Sequence, residues 1–426
     1  MRRASLLLGS ILLATAACSD ESDSPGATVT GQAGSGGTAG SGGTATGTGG
    51  TGGAGGGSAG GTPLGEPAPT SLDCSPLAHG ATCTITGASF GPKDPAAPLL
   101  WDDAEDLYTS GENTDGALVP VDGDATSGYP WRVNEHDTMH FATQASLAQR
   151  GVSQVHYFGE PTANNHKYFR GYDYNPDGVG HGHREMYLSW TIRTDSVTTS
   201  ASTKLLRLWA GDHSGRTYRL SWTTGHLTWS YSEDVGVAGD EWATQNHEII
   251  ADDTPGRWKT WKGESELGQW HRNEVYYRQS TASDVADGKL RITTDGELEH
   301  DYDLATWLDP WPACSGCIRP GDRAGNDPLN NVWVFGLDPS VDIGNYLLEL
   351  DDIYIDSTPA RVEICDVAAW ADRAGASCEP QIPSAWSDGS IDVTINRGAF
   401  PAGEAYLYVV NRAGLVNAQG VSVTFE

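Results

Sequence analysis

The run from Trp270 to Arg278 alternates two kinds of side chain. In an extended chain Arg272, Glu274, Tyr276 and Arg278 share one face, and Val275 and Tyr277 take the other. A face with a carboxylate, a phenol and two guanidiniums is too polar for a core. The same groups suit β-elimination at a uronate. There a guanidinium neutralises the carboxylate, while a phenol or imidazole takes one proton and returns one to the leaving oxygen. Tyr276, Arg278 and Glu274 are therefore the catalytic candidates, with a histidine from elsewhere. The alternative, which the pattern favours, is an exposed strand face whose charges pair across strands. A second run, from Lys204, sets Arg207 with Leu205 and Trp209. An indole offers the apolar face of a sugar a stacking surface, and guanidiniums pair with uronate carboxylates. Arg272, Arg207 and Trp209 are the carbohydrate-binding candidates.

Other chemistry-bearing clusters are weaker. His181, His183 and Glu185 share a face in an extended chain and could form a metal site or catalytic edge, but Gly178 and Gly180 indicate a surface loop. His213 is a lone candidate base. Walker, dinucleotide-binding, HExxH and G-x-S-x-G motifs are all absent. Paired carboxylates for glycoside hydrolysis remain open, because the two can lie far apart in sequence. Cys314 and Cys317 have CxxC form without a second CxxC, paired histidines or a βαβ setting, so a small loop-closing disulfide is expected.

These residues need strands to position them. Met186 to Thr194, Thr217 to Thr224 and Leu227 to Tyr231 all alternate apolar and polar residues, and Thr224-Gly225, Asp287-Gly288 and Asp295-Gly296 mark turns. An all-β architecture of antiparallel sheets follows, packed as a sandwich or jelly roll. The residues Gly268-Gln269-Trp270-His271, Glu274-Val275-Tyr276-Tyr277-Arg278 and Asp287-Gly288-Lys289-Leu290-Arg291-Ile292 resemble the concanavalin A-like jelly rolls of polysaccharide lyases and related sugar-binding domains. Trp101-Asp102-Asp103-Ala104-Glu105 and Leu350-Asp351-Asp352-Ile353-Tyr354-Ile355-Asp356 resemble the opening and closing strands of that family. There, carboxylates of these two strands hold a structural calcium. The resemblance implies Ca²⁺ on Glu105 and Asp352, with Asp103 as a further ligand; solvated strand-end acids are the alternative.

The flanks suggest a second unit. Thr82 to Gly91 resembles the opening of IPT/TIG immunoglobulin-like domains, and Ile382 to Ile395, Ala405 to Val410 and Val421 to Phe425 resemble the second half of one. The resemblance implies a jelly roll (99–357) inserted between the two parts (67–98 and 358–426) of a small sandwich. Two flanking fragments of separate sandwiches are the alternative. Insertion is tolerated where termini lie close together.

At the N-terminus, Met1-Arg2-Arg3, the apolar run Leu6 to Leu13 and small residues before Cys18 form a secretion signal (1–17). Leu13-Ala14-Thr15-Ala16-Ala17-Cys18 resembles the lipobox of bacterial lipoproteins, which implies acylation of Cys18 and a place in the outer membrane or at the cell surface. Residues 18–66 are dominated by Gly, Ser, Thr and Ala. Their core of about 40 residues is a flexible coil with an end-to-end distance of roughly 35 Å. The chain carries 26 basic and 56 acidic residues, a net charge of −30, so a basic nucleic-acid footprint is absent. Of seven cysteines, six beside Cys18 fall in local pairs: Cys74 with Cys83, Cys314 with Cys317, and Cys365 with Cys378. In an exported chain these read as disulfides, with connectivity open. The expected function is a lipid-anchored protein that binds a polysaccharide or cell-surface glycan. The alternatives are a uronate polysaccharide lyase and a noncatalytic adhesin or structural surface protein.

Overall fold

The computed structural model describes residues 64–105 (Ser75 apart), 112–121, 131, 133–134, 137–143, 150–159, 169–173, 183–195, 204–210, 218–223, 226–232, 244–249, 262, 266–278, 289–303, 329–337 and 347–426. Cys18 and its stalk, His181, His213, Cys314 and Cys317 lie outside them.

The described residues build antiparallel sheets in two sandwiches. The larger sandwich opposes two sheets. One runs β15 (Glu297–Asp303), β14 (Lys289–Thr294), β13 (Trp270–Arg278), β8 (Glu185–Thr194), β17 (Leu348–Asp356), β6 (Val155–Gly159) and β5 (Met139–Thr143). Its eighth strand, β3 (Leu100–Asp102), pairs with β17. The facing sheet runs β12 (Thr244–Ile249), β11 (His226–Ser232), β10 (Tyr218–Thr223), β9 (Lys204–Ala210), β16 (Leu329–Leu337), β7 (Phe169–Asp173) and β4 (Val133–Asn134). Strand alternation sends one side of each sheet inward. Leu188, Trp190, Ile192, Val275 and Tyr277 of the first sheet and Leu206, Leu208 and Val332 of the second join one buried core. The β14–β15 hairpin turns at Asp295 and Gly296, both at positive φ (49° and 70°), as the local Asp-Gly pair favours.

The small sandwich follows the strand order β1 (Ala68–Asp73), β2 (Thr82–Ala88), β20 (Ser390–Thr394), β19 (Cys378–Trp386), β18 (Arg361–Cys365), β21 (Gly403–Val410) and β22 (Val421–Phe425). Its first two strands precede the large sandwich in the chain, and the other five follow it. β19 changes layers midway: Cys378 to Gln381 pair with β18, and Ile382 to Trp386 pair with β20. The layers enclose a second core containing Ile85, Phe90, Val362, Ile391, Val393, Leu407 and Phe425. Disulfides join Cys74 to Cys83 and Cys365 to Cys378.

Candidate functional site

The polar face of β13 does not line a groove along its whole length. Its first half is a seam between the sandwiches. Arg272 and Glu274 are buried at 7% and 4% exposure. The Arg272 guanidinium donates to the Cys378 carbonyl (3.1 Å) and the Tyr187 hydroxyl (3.0 Å), and lies 3.4 Å from Glu363. Glu274 receives Arg373 at 2.7 Å, the Tyr187 hydroxyl at 2.5 Å and the Thr293 hydroxyl at 2.9 Å. Arg361 and Arg373 also hold Glu363, at 2.5 Å and 2.9 Å. Burial alone would raise both carboxyls. The guanidiniums outweigh it, with Arg373 first at Glu274 and Arg361 first at Glu363. They hold Glu274 well below the usual carboxylate range and Glu363 at about 2. These two expectations are therefore corrected: Arg272 is a seam residue rather than a sugar contact, and Glu274 a seam acid rather than a catalytic one. Their charges are matched by arginines and a glutamate about 90 residues downstream, a pairing that local alternation could not reveal.

Tyr276 and Arg278 lie further along the same face, both half-buried. The Tyr276 hydroxyl donates to Glu185 at 2.7 Å, and burial, then that bond, raises its pKa. A phenol held this way is a poor base near neutrality. Its separation from Arg207 and Trp209 is also topological. On β9, Leu205, Leu206 and Leu208 all join the core that Val275 and Tyr277 share, with a register shift beside Thr223, and Arg207 and Trp209 alternate in sequence with Leu206 and Leu208 on the sheet that faces Tyr276's own. Of the His181, His183 and Glu185 cluster, His183 and Glu185 are among the described residues, and burial lowers the His183 pKa.

The three calcium candidates do not form a ligand set. Glu105 accepts the backbone N–H groups of Gln154 and Val155, the latter at 3.1 Å. Asp103 accepts the Glu105 N–H at 3.0 Å and the Trp101 indole at 3.1 Å. Asp352 meets the Arg150 guanidinium and the Asn396 amide (3.3 Å). Arg150 also reaches Glu379 at 2.5 Å and approaches Asp351 at 3.6 Å. Ca²⁺ takes six to eight oxygen ligands, and here a guanidinium is the cation among the carboxylates. Among the described residues, one group has metal-ligand spacing, Glu363 with Cys365 and Cys378, and its cysteines are bonded to each other. Among the described residues, Glu105, Asp103 and Asp352 do not assemble a set that fits calcium.

The facing sheet brings together what the sequence kept apart. Paired residues in antiparallel strands share a face. The register therefore sets Arg207 in one rung with Ser221 and Thr228 on one side and Trp333 and Arg170 on the other. Trp209 shares a neighbouring rung with Arg219 and Asn331. Between the two rungs lie Leu208 and Val332, both in the core. Adjacent strands are about 4.8 Å apart, so Arg207 and Arg170 flank Trp333 across about 10 Å of sheet. His226 pairs with Thr223, which pairs with Lys204, one rung beyond Arg207. Trp333, Arg170, Arg219 and His226 were missed. The only available signal was alternation within each short strand, and the strand order that joins them is not local.

No family model matches the chain, and no curated protein matches it either. Among solved structures, it is similar to an alginate lyase, vAL-1, from Chlorella virus, at 12% identity and a TM-score of 0.31, over 53% of this chain and 93% of that one. It is similar also to Cip1, a cellulose-induced protein (15% identity, TM-score 0.29, 52% and 86% coverage). A third is the binding domain of botulinum neurotoxin serotype G (7% identity, TM-score 0.28, 64% and 68% coverage).

Proposed function

We propose that this chain binds an anionic, uronate-type polysaccharide across the outer face of the facing sheet. One observation carries the reading: two neighbouring rungs collect Arg207, Arg170 and Arg219 with Trp209 and Trp333. In a chain of net charge −30, that concentration of guanidiniums on one sheet face runs against the composition. Indoles supply stacking surfaces for sugar rings, and guanidiniums supply paired donors to carboxylates. The N-terminal signal, with Cys18 as a lipidated residue and the glycine-rich segment as a tether, would hold this face away from an outer membrane. Loss of fatty-acid labelling in Cys18→Ser tests the anchor.

A lyase reading has one specific support, His226 in register with Thr223 and, across it, Lys204, one rung along from that of Arg207. An imidazole there can take the C5 proton and return it to the departing C4 oxygen as the C4–O bond breaks, while Arg207 neutralises the uronate carboxylate. Tyr276, on the other outer face, is no part of that arrangement.

Affinity electrophoresis in gels containing alginate, pectate or hyaluronan tests the binding reading. Retardation that Arg207→Ala weakens supports it, and migration indifferent to all three polymers overturns it. Ultraviolet absorbance of new unsaturated ends, followed on the same polymers, decides the chemistry. A rise abolished by His226→Ala and retained in Tyr276→Phe makes the chain a lyase of this face; no rise leaves it a binding protein.

A further inference from the structure

The eight-stranded sheet carries a second cluster, beyond the seam, that neither sandwich satisfies. Its register sets Trp270 opposite Arg193, Arg193 opposite Glu349, and Glu349 opposite Phe158. Glu349 is fully buried and His156 is 3% exposed. One Glu349 oxygen is taken by Arg193, whose Nε is committed to the Gly268 carbonyl at 2.9 Å. The other, Oε1, lies 3.4 Å from His156 Nε2, but the two are not aligned for a hydrogen bond. The Trp270 indole stands edge-on to the His156 ring, 5.3 Å away, and its Nε1 is buried without a partner. Three buried polar atoms on neighbouring side chains thus lack partners: a carboxylate oxygen, an imidazole nitrogen and an indole N–H.

Buried polar atoms are almost always satisfied, so a cluster of three asks what satisfies them. The set needs one group that donates to Glu349 and accepts from Trp270, and a hydroxyl does both. Phe158, half-buried, is next to Glu349 in the rung, and half-buried Trp270 ends it on the other side, beyond Arg193. A ring with apolar faces and hydroxyl edges would offer a hydroxyl to this polar set and an apolar face to the aromatics beside it. A sugar carrying its own carboxylate would set like charges together at Glu349. The geometry points to a site for a hydroxyl of a neutral sugar unit, entered past Trp270 and Arg193, whose side chain is 17% exposed. It lies on the opposite outer face from the arginine-rich rungs and does not depend on them.

The test is affinity electrophoresis of the full chain in mannan, xylan and mixed-linkage β-glucan, with alginate alongside. Trp270→Phe keeps the ring and removes the N–H, and Glu349→Gln keeps the shape and removes the charge. At least one neutral glycan should retard the wild type. Both variants should weaken that binding by about tenfold, the worth of one hydrogen bond, and leave alginate retention unchanged. If the Glu349 variant melts early, His156→Asn replaces it. Indifference of the wild type to every neutral glycan overturns the assignment. So do variants that bind like the wild type, or a glycan-soaked crystal holding only a water between Glu349 and Trp270. Failure here leaves alginate binding intact, and failure of the arginine face leaves neutral-glycan binding intact.

Discussion

The two outer faces of the large sandwich use arginine in opposite ways. On the eight-stranded sheet, Arg272 sits among Glu274, Glu363, Tyr187 and the Cys378 carbonyl, and the small sandwich covers it. On the facing sheet, Arg207, Arg170 and Arg219 share rungs with tryptophans, serine, threonine and asparagine, and the acids of that face stand off the arginines' own pairs: Asp173 opposite Asn331, Glu248 opposite Thr228. One face is closed by opposite charge from within the chain. The other, on the function proposed above, would take its opposite charge from a bound polymer. A charged strand face therefore says little about function until the location of its counter-charges is known.

The largest effect should come from unbalancing the closed face. Glu363→Ala leaves Arg272, Arg361 and Arg373 buried with one carboxylate fewer, and should cost about 3–5 kcal/mol of stability in urea melts. Alginate retention should survive wherever the variant is folded. On the other face the expectation inverts. Arg207→Ala or Trp333→Ala should weaken retention about 10- to 100-fold and shift stability by no more than about 0.5 kcal/mol. A Glu363→Ala variant as stable as the wild type would break the comparison.

Acid gives a smaller effect with a definite sign. Glu363 and Glu274 have depressed pKa values in the fold, so their contribution is complete above the ordinary carboxylate range. It is lost as pH falls from about 4.5 towards 2. Asp351 and Glu379, raised chiefly by burial, act in the opposite sense. The seam's share is therefore the difference between the wild type and Glu363→Gln, which should shrink as pH falls through that window. The smallest expected effect is that of EDTA. With Arg150 as the cation among Asp351, Asp352 and Glu379, chelation should leave the melting temperature unchanged to within about 1 °C, and a fall of several degrees would sink the guanidinium assignment.

Much of the fold was legible because strands announce themselves locally. Leu188, Trp190 and Ile192 alternate as a buried face must, and Asp295-Gly296 turns where the dipeptide favours it. The polar face of β13 was legible as well, since Arg272, Glu274 and Tyr276 do share it. Its meaning was not, because Glu363, Arg361 and Arg373 come from another part of the chain. Arg207 and Trp209 were readable as a pair two residues apart; Trp333 and Arg170 enter through strand order alone. The acids of the opening and closing strands were found, but Arg150, which answers Asp352 and Glu379, carries no motif. At that corner Gly151 and Gly398, both at positive φ, let the two backbones touch, and a Cβ on Gly151 would overlap the Gly398 carbonyl.

The divided small sandwich also imposes an order of events. Thr84 on β2 donates to Asp392 on β20 at 2.7 Å, across 308 positions of sequence. During synthesis the N-terminal strands must wait, unpaired on that edge, until nearly the whole chain has emerged. The large sandwich can condense first and, by doing so, shorten the loop whose closure the small one requires. A chain cut short anywhere before β20 would leave open the β2 edge that β20 covers, an unpaired edge of the kind that invites aggregation.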